Sequence, residues 1–170
     1  MEDKRTGQCF VAMPSSGPLI KQQPDGPVMK NGTVVLTCEV RGGIPLATLS
    51  WDCGGSSAVI TTPSIGKVTS TVQLVVNSVD NGKTCTCDVT HPLWDTNKST
   101  TVTIVVYYLP FESLVLAMEP SSTLFIGSRV NATCHLTGGK PLATLILNCN
   151  GLFGFNFNTT KTAFNGSVYS

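Results

Sequence analysis

Residues 83–89 read KTCTCDV, and this segment decides how the rest of the chain is interpreted. Cys85, Cys87 and Val89 lie at alternate positions, with threonine and aspartate between them, which is the period-two pattern of a half-buried β-strand. Two cysteines on one strand face serve as metal ligands, as a redox pair or as halves of two disulfides. Structural zinc sites commonly use CxxC on a turn, and redox pairs use CxxC at a helix start. The CxC spacing therefore favours disulfides.

The same alternation recurs along the first two thirds of the chain. It appears in TVVLTCEV (33–40), LATLSWDC (46–53), STVQLVVNSV (70–79) and TTVTIVV (100–106). Turn signals such as RGGIP and VDNGK separate these segments, and none of them has a helical period. The fold class is therefore predicted to be all-β.

An internal repeat predicts the domain organisation. CEVRGGIPLATLSWDCGG at 38–55 aligns without gaps on CHLTGGKPLATLILNCNG at 134–151, an offset of 96 positions. We expect a tail or the remnant of a preceding module at 1–17, a complete domain at 18–108 and a second domain at 109–170. A constant offset places Ser170 opposite Leu74, so the second domain is expected to be incomplete and truncated before its last strands.

Charge and hydropathy exclude several classes of function. The 170 residues carry a net charge of +1, and charged residues make up 12% of them, about half the usual share. No cluster of lysine and arginine offers a nucleic-acid site, and no apolar run approaches the roughly 20 residues that cross a bilayer. We expect no nucleic-acid partner and no membrane contact from this segment.

Cysteines and glycosylation sequons indicate an extracellular protein. The chain has seven cysteines, with no CxxC pair, and such usage favours an oxidising compartment. Five Asn-x-Ser/Thr sequons begin at Asn31, Asn97, Asn131, Asn158 and Asn165. MEDKRTGQCF at the start is not a signal peptide, so we expect the leader to lie outside this sequence.

No catalytic, cofactor or metal site is predicted. The two histidines, His91 and His135, are expected to be ordinary surface residues, and no nucleophile, phosphate-binding or metalloprotease motif is present. The protein is therefore not expected to be an enzyme.

The spacing of the cysteines around Trp51 resembles a known family. Cys38, Trp51 thirteen residues later and DNGKTCTC ending at Cys87 are similar to the Cys…Trp…Cys framework of an immunoglobulin domain. VYYLP at 106–110 resembles the boundary between domains in cell-surface proteins of the nephrin, nectin and hemicentin kind. The resemblance implies tandem Greek-key β-sandwiches. It also implies cell adhesion or recognition through contacts with other cell-surface or extracellular proteins, including a second copy. The alternative is a secreted innate-immune recognition factor.

The resemblance also implies how the cysteines pair. In such a sandwich the Cys38 and Cys87 strands face each other, while Cys53 points toward the strand that carries Cys85. The simplest pairing is Cys38 with Cys87 and Cys53 with Cys85, and the swapped pairing remains open. Cys85 replaces the tyrosine usual at its position, and Leu147 replaces the tryptophan in the second repeat. The role of Cys9 is left open.

Recognition residues are expected on the loops and one sheet face of the first domain. Trp94 lies in the loop between the sixth and seventh strands, and it is expected either to bind a partner or to lie back on the domain edge or under a glycan on Asn97. The outward positions that related adhesion modules use correspond to Ser50, Asp52, Thr86 and Asp88.

Overall fold

The protein forms two compact units, Met1–Val106 and Tyr107–Ser170. The computed structural model describes residues 10–54, 59–121, 123, 125–146 and, as backbone, 162–164 and 167–169. The N-terminal segment 1–9 with Cys9, and the stretch 147–161 with Leu147, Cys149 and Asn158, lie outside the described residues, as does Asn165. Each unit is described by itself below.

The described part of the first unit is built from short strands and one turn of 3₁₀ helix. The strands are β1 (Ala12–Pro14), β2 (Leu19–Gln23), β3 (Val28–Met29), β4 (Thr33–Ile44), β5 (Thr48–Asp52), β6 (Val59–Ser64), β7 (Lys67–Val75), β8 (Thr84–Thr90) and β9 (Lys98–Thr103). The 3₁₀ turn is Ser78–Asp80.

These strands form two principal antiparallel sheets. In the first sheet, β1 and β2 both pair with β4, which is followed by β7 and β6; the second sheet has the order β5-β8-β9. Val28 of β3 donates its backbone N–H at 2.9 Å to the carbonyl of Val105, the residue before β10 (Val106–Pro110). This strand order is that of an immunoglobulin β-sandwich and confirms the predicted fold class.

The core lies where the alternating patterns predicted it. Val34, Leu36, Cys38 and Val40 of β4 are fully buried, and Cys87 of β8 is equally buried. The last predicted strand differs from expectation, because β9 spans 98–103 and ends before Ile104. Ile104 instead exchanges backbone hydrogen bonds with the turn at residues 82 and 83, and its side chain is buried.

The first sheet begins earlier than the expected boundary at residue 18. Ala12 lies opposite Ile44, and Pro14 lies opposite Gly42, so β1 belongs to this sheet. Ser15 continues the contact by donating its backbone N–H to the carbonyl of Arg41 at 2.8 Å. Part of the segment expected to be a tail is therefore a strand of the first unit.

The second unit repeats the first sheet in the same register. β11 (Val115–Glu119) and β10 both pair with β12 (Asn131–Lys140). Pro110 lies opposite Gly138, as Pro14 lies opposite Gly42, and each residue is displaced by 96 positions. Gly42 and Gly138, and the glycine directly after each of them, have positive φ angles of 74° to 88°, a region that favours glycine. The sequence repeat is thus a structural repeat.

The offset does not stay constant to the end of the chain. β14 (Ser167–Tyr169) pairs with β12 and with β13 (Thr162–Phe164). Val168 lies opposite Leu136 in the second unit, and Val68 lies opposite Val40 in the first. Leu136 is thus displaced by 96 positions from Val40, whereas Val168 is displaced by 100 positions from Val68. The expectation of a constant offset, which placed Ser170 opposite Leu74, is therefore wrong, because four extra residues precede this hairpin in the second unit.

Candidate recognition surface

Two disulfides fix the sheet that carries the candidate surface. Cys38 is joined to Cys87 across the two sheets, with a Cα–Cα distance of 6.4 Å. Cys53 is joined to Cys85 between neighbouring strands, with a Cα–Cα distance of 4.3 Å. This is the first of the two pairings that the resemblance left open, and it leaves none of these four thiols to bind a metal.

A hydrogen bond satisfies the tryptophan beside the inter-sheet disulfide. Trp51 lies opposite Cys87 in the β5–β8 ladder, and its indole Nε1–H donates to Oγ of Ser70 at 3.1 Å. Ser70 is fully buried, and its Oγ also accepts a bond from the Thr61 hydroxyl at 3.4 Å. A buried polar group needs such partners, so this serine allows the indole to pack against the core.

His91 is buried, and the prediction that it is a surface residue is wrong. Its exposure is 5%. Nδ1 accepts the backbone N–H of Leu93 at 3.2 Å, so the proton lies on Nε2, which donates to the carbonyl of Pro45 at 2.8 Å. Gly43 permits this approach, because a Cβ there would lie 3.1 Å from Nε2. Extending the alternation of Cys87 and Val89 by one more step would have placed His91 inside.

Trp94 lies back on the domain. It is partly buried and packs against the core cluster of the first unit. Its ring centroid is 5.7 Å from that of His91, and Lys98 Nζ lies 4.3 Å from the ring centre in a cation–π contact. Of the placements expected for Trp94, the geometry corresponds to a ring that lies back on the domain edge.

The four residues predicted for the sheet face come together. Ser50 lies opposite Asp88, and Asp52 lies opposite Thr86, on adjacent strands of the second sheet. β9 continues both rows with Ser99 and Thr101, which the sequence analysis missed although KSTTVT alternates.

Every described outward position of this sheet carries a serine, a threonine or an aspartate. We call this surface the polar face; its members are Thr48, Ser50, Asp52, Thr84, Thr86, Asp88, Thr90, Ser99, Thr101 and Thr103. Strands spaced about 4.8 Å apart arrange the hydroxyls in rows. The face can therefore exchange many hydrogen bonds and carries two negative charges.

The outward face of the first sheet has the opposite charge. Lys21, Arg41 and Lys67 lie there with Glu39. Arg41 Nε donates to Glu39 at 2.7 Å and Lys67 Nζ lies 3.4 Å from the same carboxylate. The hydrogen bond from Arg41, supported by both positive charges, lowers the pKa of Glu39. The two faces of the first unit thus differ in sign.

The described sequon residues are accessible. Asn31, Asn97 and Asn131 are all exposed. Asn31 adopts a left-handed conformation with φ of 67° at the turn before β4. Exposure is what an enzyme that attaches a glycan requires.

Within the described ranges, no cluster of histidine, cysteine and acidic side chains has the geometry of a metal site. The described residues also contain no helix that is long and apolar enough to cross a membrane. Cys134 is a buried free cysteine at the position that corresponds to Cys38.

Comparison with known proteins places this geometry in a family context. Residues 18–98 match the sequence profile of the CD80-like C2-set immunoglobulin domain. The chain is 27% identical over 144 residues to Cell adhesion molecule 4 of Xenopus laevis, a match that covers 81% of this chain and 35% of that protein. The chain therefore spans about a third of the length of this curated relative.

One solved structure shows the same fold over most of the chain. The full ectodomain of mouse nectin-like molecule 4, with domains Ig1–Ig3, superposes with a TM-score of 0.56 at 19% identity, covering 92% of this chain and 54% of that one. The crystal structure of Rst D1-D2 gives a TM-score of 0.45 at 21% identity, covering 56% of this chain and 50% of that one.

Proposed function

Since the chain is an immunoglobulin-superfamily protein that resembles the nectin-like adhesion proteins, we propose that it is an extracellular segment of a cell-adhesion protein that binds other cell-surface proteins. The observation that carries this proposal is the similarity to a cell adhesion molecule over 81% of the chain. Disulfide bonds support an extracellular location. The relatives found are adhesion molecules, and we propose no enzymatic activity. No observation here specifically favours the secreted immune factor.

We further propose that the polar face, including Ser50, Asp52, Thr86 and Asp88, is the contact surface. Hydroxyl rows with two carboxylates match a partner surface that carries lysine or arginine side chains and amide donors, because opposite charges speed the encounter and select the partner. The basic outward face of the first sheet on a second copy has this chemistry. Homophilic contact is therefore one form of the proposal.

Such a face gives weak binding for each pair of molecules. It has no aromatic anchor, and aromatic residues supply most of the energy at tight interfaces. Trp94 does not compensate, since its ring lies against the core and Lys98. Adhesion would then depend on many molecules acting together on apposed surfaces, which multiplies weak contacts.

We propose glycans at the exposed Asn31, Asn97 and Asn131 and at the sequons Asn158 and Asn165. None of these positions is a member of the polar face as defined above. A glycan at Asn31 would restrict access to another part of the first unit, whereas Asn97 directly precedes β9, so a glycan there would border the Ser99 end of the polar face.

Binding of the tetramerised chain to cells tests both proposals. Asp52→Lys combined with Asp88→Lys reverses the charge of the polar face and should reduce binding at least about tenfold. Lys21→Glu changes a charge on the other sheet, so it is the control and should leave binding to a different protein unchanged. Retained tryptophan fluorescence and circular dichroism must show that both variants are folded. Unchanged binding of the double variant would exclude the polar face, and absence of binding to every cell type and to immobilised chain would contradict the adhesion function.

A further inference from the structure

The disulfide between Cys53 and Cys85 differs from the Cys38–Cys87 disulfide because one of its cysteines is partly exposed. We propose that it is a reversible thiol-exchange site, at which Cys53 takes up a low-molecular-weight thiol while the first unit stays folded. This inference is independent of the adhesion function, because it depends only on the position and accessibility of the bridge.

The bridge joins directly opposite residues of one ladder. Trp51 lies opposite Cys87 and Asp52 opposite Thr86, so the next step of the antiparallel register brings Cys53 opposite Cys85. Their Cα atoms are 4.3 Å apart, close to the 4.5 Å of a non-hydrogen-bonded pair. The bridge therefore connects strands that the ladder already holds together.

Access distinguishes the two bridges. Cys38 and Cys87 have exposures of 0%, so a reagent reaches them only after the sandwich opens. Cys85 is similarly enclosed at 1%, but Cys53 is partly exposed just beyond the end of β5. Exchange requires a thiolate to reach one sulfur along the S–S axis, and Cys53 is the more exposed residue of this pair.

Opening this bridge leaves the rest of the unit connected. Five ladder pairs, from Thr48–Thr90 to Asp52–Thr86, still join β5 to β8, and Cys38–Cys87 still joins the two sheets. By contrast, Cys38–Cys87 is the covalent link between the sheets, with fully buried sulfurs. Selective exchange at the bridge between Cys53 and Cys85 is thus compatible with the folded state.

The reaction balances without an external oxidant. The thiolate of the small molecule attacks Cys53 Sγ, the bond between Cys53 and Cys85 breaks, and its electron pair leaves on Cys85 Sγ, which takes a proton from water. The products are a mixed disulfide on Cys53 and a thiol on Cys85. The reverse reaction, attack by the Cys85 thiolate on Cys53, expels the small thiol and restores the bridge.

A neighbouring carboxylate selects among thiols. Asp52 precedes Cys53, and its Oδ1 accepts the backbone N–H of Gly54 at 3.2 Å, so the carboxylate bends toward the chain that follows Cys53. For a separation on the order of 6 Å in water, one negative charge raises the local concentration of a singly charged cation about threefold and lowers that of an anion by the same factor. A thiol that carries an ammonium group should therefore react faster than one that carries a carboxylate.

The test treats the full chain, with accessible free thiols first blocked, with cysteamine under native conditions and maps the products by non-reducing peptide mass spectrometry. The expected products are cysteamine on Cys53 and a free thiol on Cys85, formed at least about tenfold faster than any product at Cys38 or Cys87. Equal rates at both bridges, or exchange that appears only in denaturant, would overturn the proposal.

Two variants sharpen this test. Asp52→Asn should lower the preference for cysteamine over mercaptoacetate up to about tenfold, because the cation loses a threefold gain and the anion loses a threefold penalty; the preference is measured relative to a small model disulfide, and high salt should lower it in the same direction. Cys53→Ser combined with Cys85→Ser should retain the native circular dichroism spectrum and lose the adduct. Failure of this double variant to fold would show that the bridge is indispensable, which would also overturn the proposal.

Discussion

Replacing His91 by alanine should destabilise the first unit by about 3 to 4 kcal/mol. The ring, 5% exposed, satisfies two backbone groups, the N–H of Leu93 and the carbonyl of Pro45. Each of these part-buried hydrogen bonds contributes about 0.5–1.5 kcal/mol, and the lost packing of the buried ring against Trp94, with the cavity it leaves, adds to this. Such a loss is a large part of the 5–15 kcal/mol typical of a whole domain.

Urea unfolding followed by tryptophan fluorescence measures this change in the first unit alone, because Trp51 and Trp94 are the chain's two tryptophans. If the free energy of unfolding falls by about 1.5 kcal/mol per molar urea, the urea concentration at the unfolding midpoint should fall by about 2 M. Asp95→Ala, an exposed change in the same loop, is the control and should stay within about 0.5 kcal/mol. If His91→Ala also stayed within that limit, the two hydrogen bonds would not have the role assigned here.

Three further changes probe other parts of the first unit. Hydrogen bonds from Lys83 and then the Asn77 backbone lower the pKa of Asp80 below its usual 3.8, so its stabilisation is present above that pH and lost as the pH falls through the folded value. Asp80→Asn should therefore make unfolding less pH-dependent below about pH 4 in acid titrations by circular dichroism, and an unchanged pH dependence would contradict this. Ser70→Ala leaves the indole N–H without its acceptor and should cost about 1–3 kcal/mol in the urea assay, whereas an unchanged midpoint would disprove the bond's importance. Removing Cys38–Cys87, which closes 49 residues, should cost about 3–4 kcal/mol plus the cavity left by its buried sulfurs, and equal stability would refute this.

The predictions that rest on strict alternation agree with the structure. A strand with one buried face must place every second residue inside, and Val34, Leu36, Cys38 and Val40 all obey this rule. The repeat also follows from the sequence, since identical glycine and proline positions impose the same turns in both units. These features are local, so the sequence alone is sufficient to derive them.

Other features depended on contacts between distant residues. The burial of His91 follows from extending the alternation of Cys87 and Val89, but its hydrogen bond to Pro45, 46 residues away, requires two loops to meet. β1 was missed because a short segment with exposed Phe10 and Met13 has no alternating signal of its own. The 96-residue spacing between Pro14 and Pro110 is the sequence signal that would have identified it. The outward position of Ser50 was predictable, but the rows of hydroxyls formed with Thr101 and Ser99 required the pairing of the strands.

The most direct test of the adhesion function is to display the full chain, at a measured density, on cells that do not otherwise aggregate. Displaying cells should aggregate with each other or adhere to cells that carry a partner protein, and the Asp52→Lys, Asp88→Lys variant should abolish the effect at equal display. Displaying cells that remain dispersed and bind no other cell type, with correctly folded protein on their surface, would contradict the account.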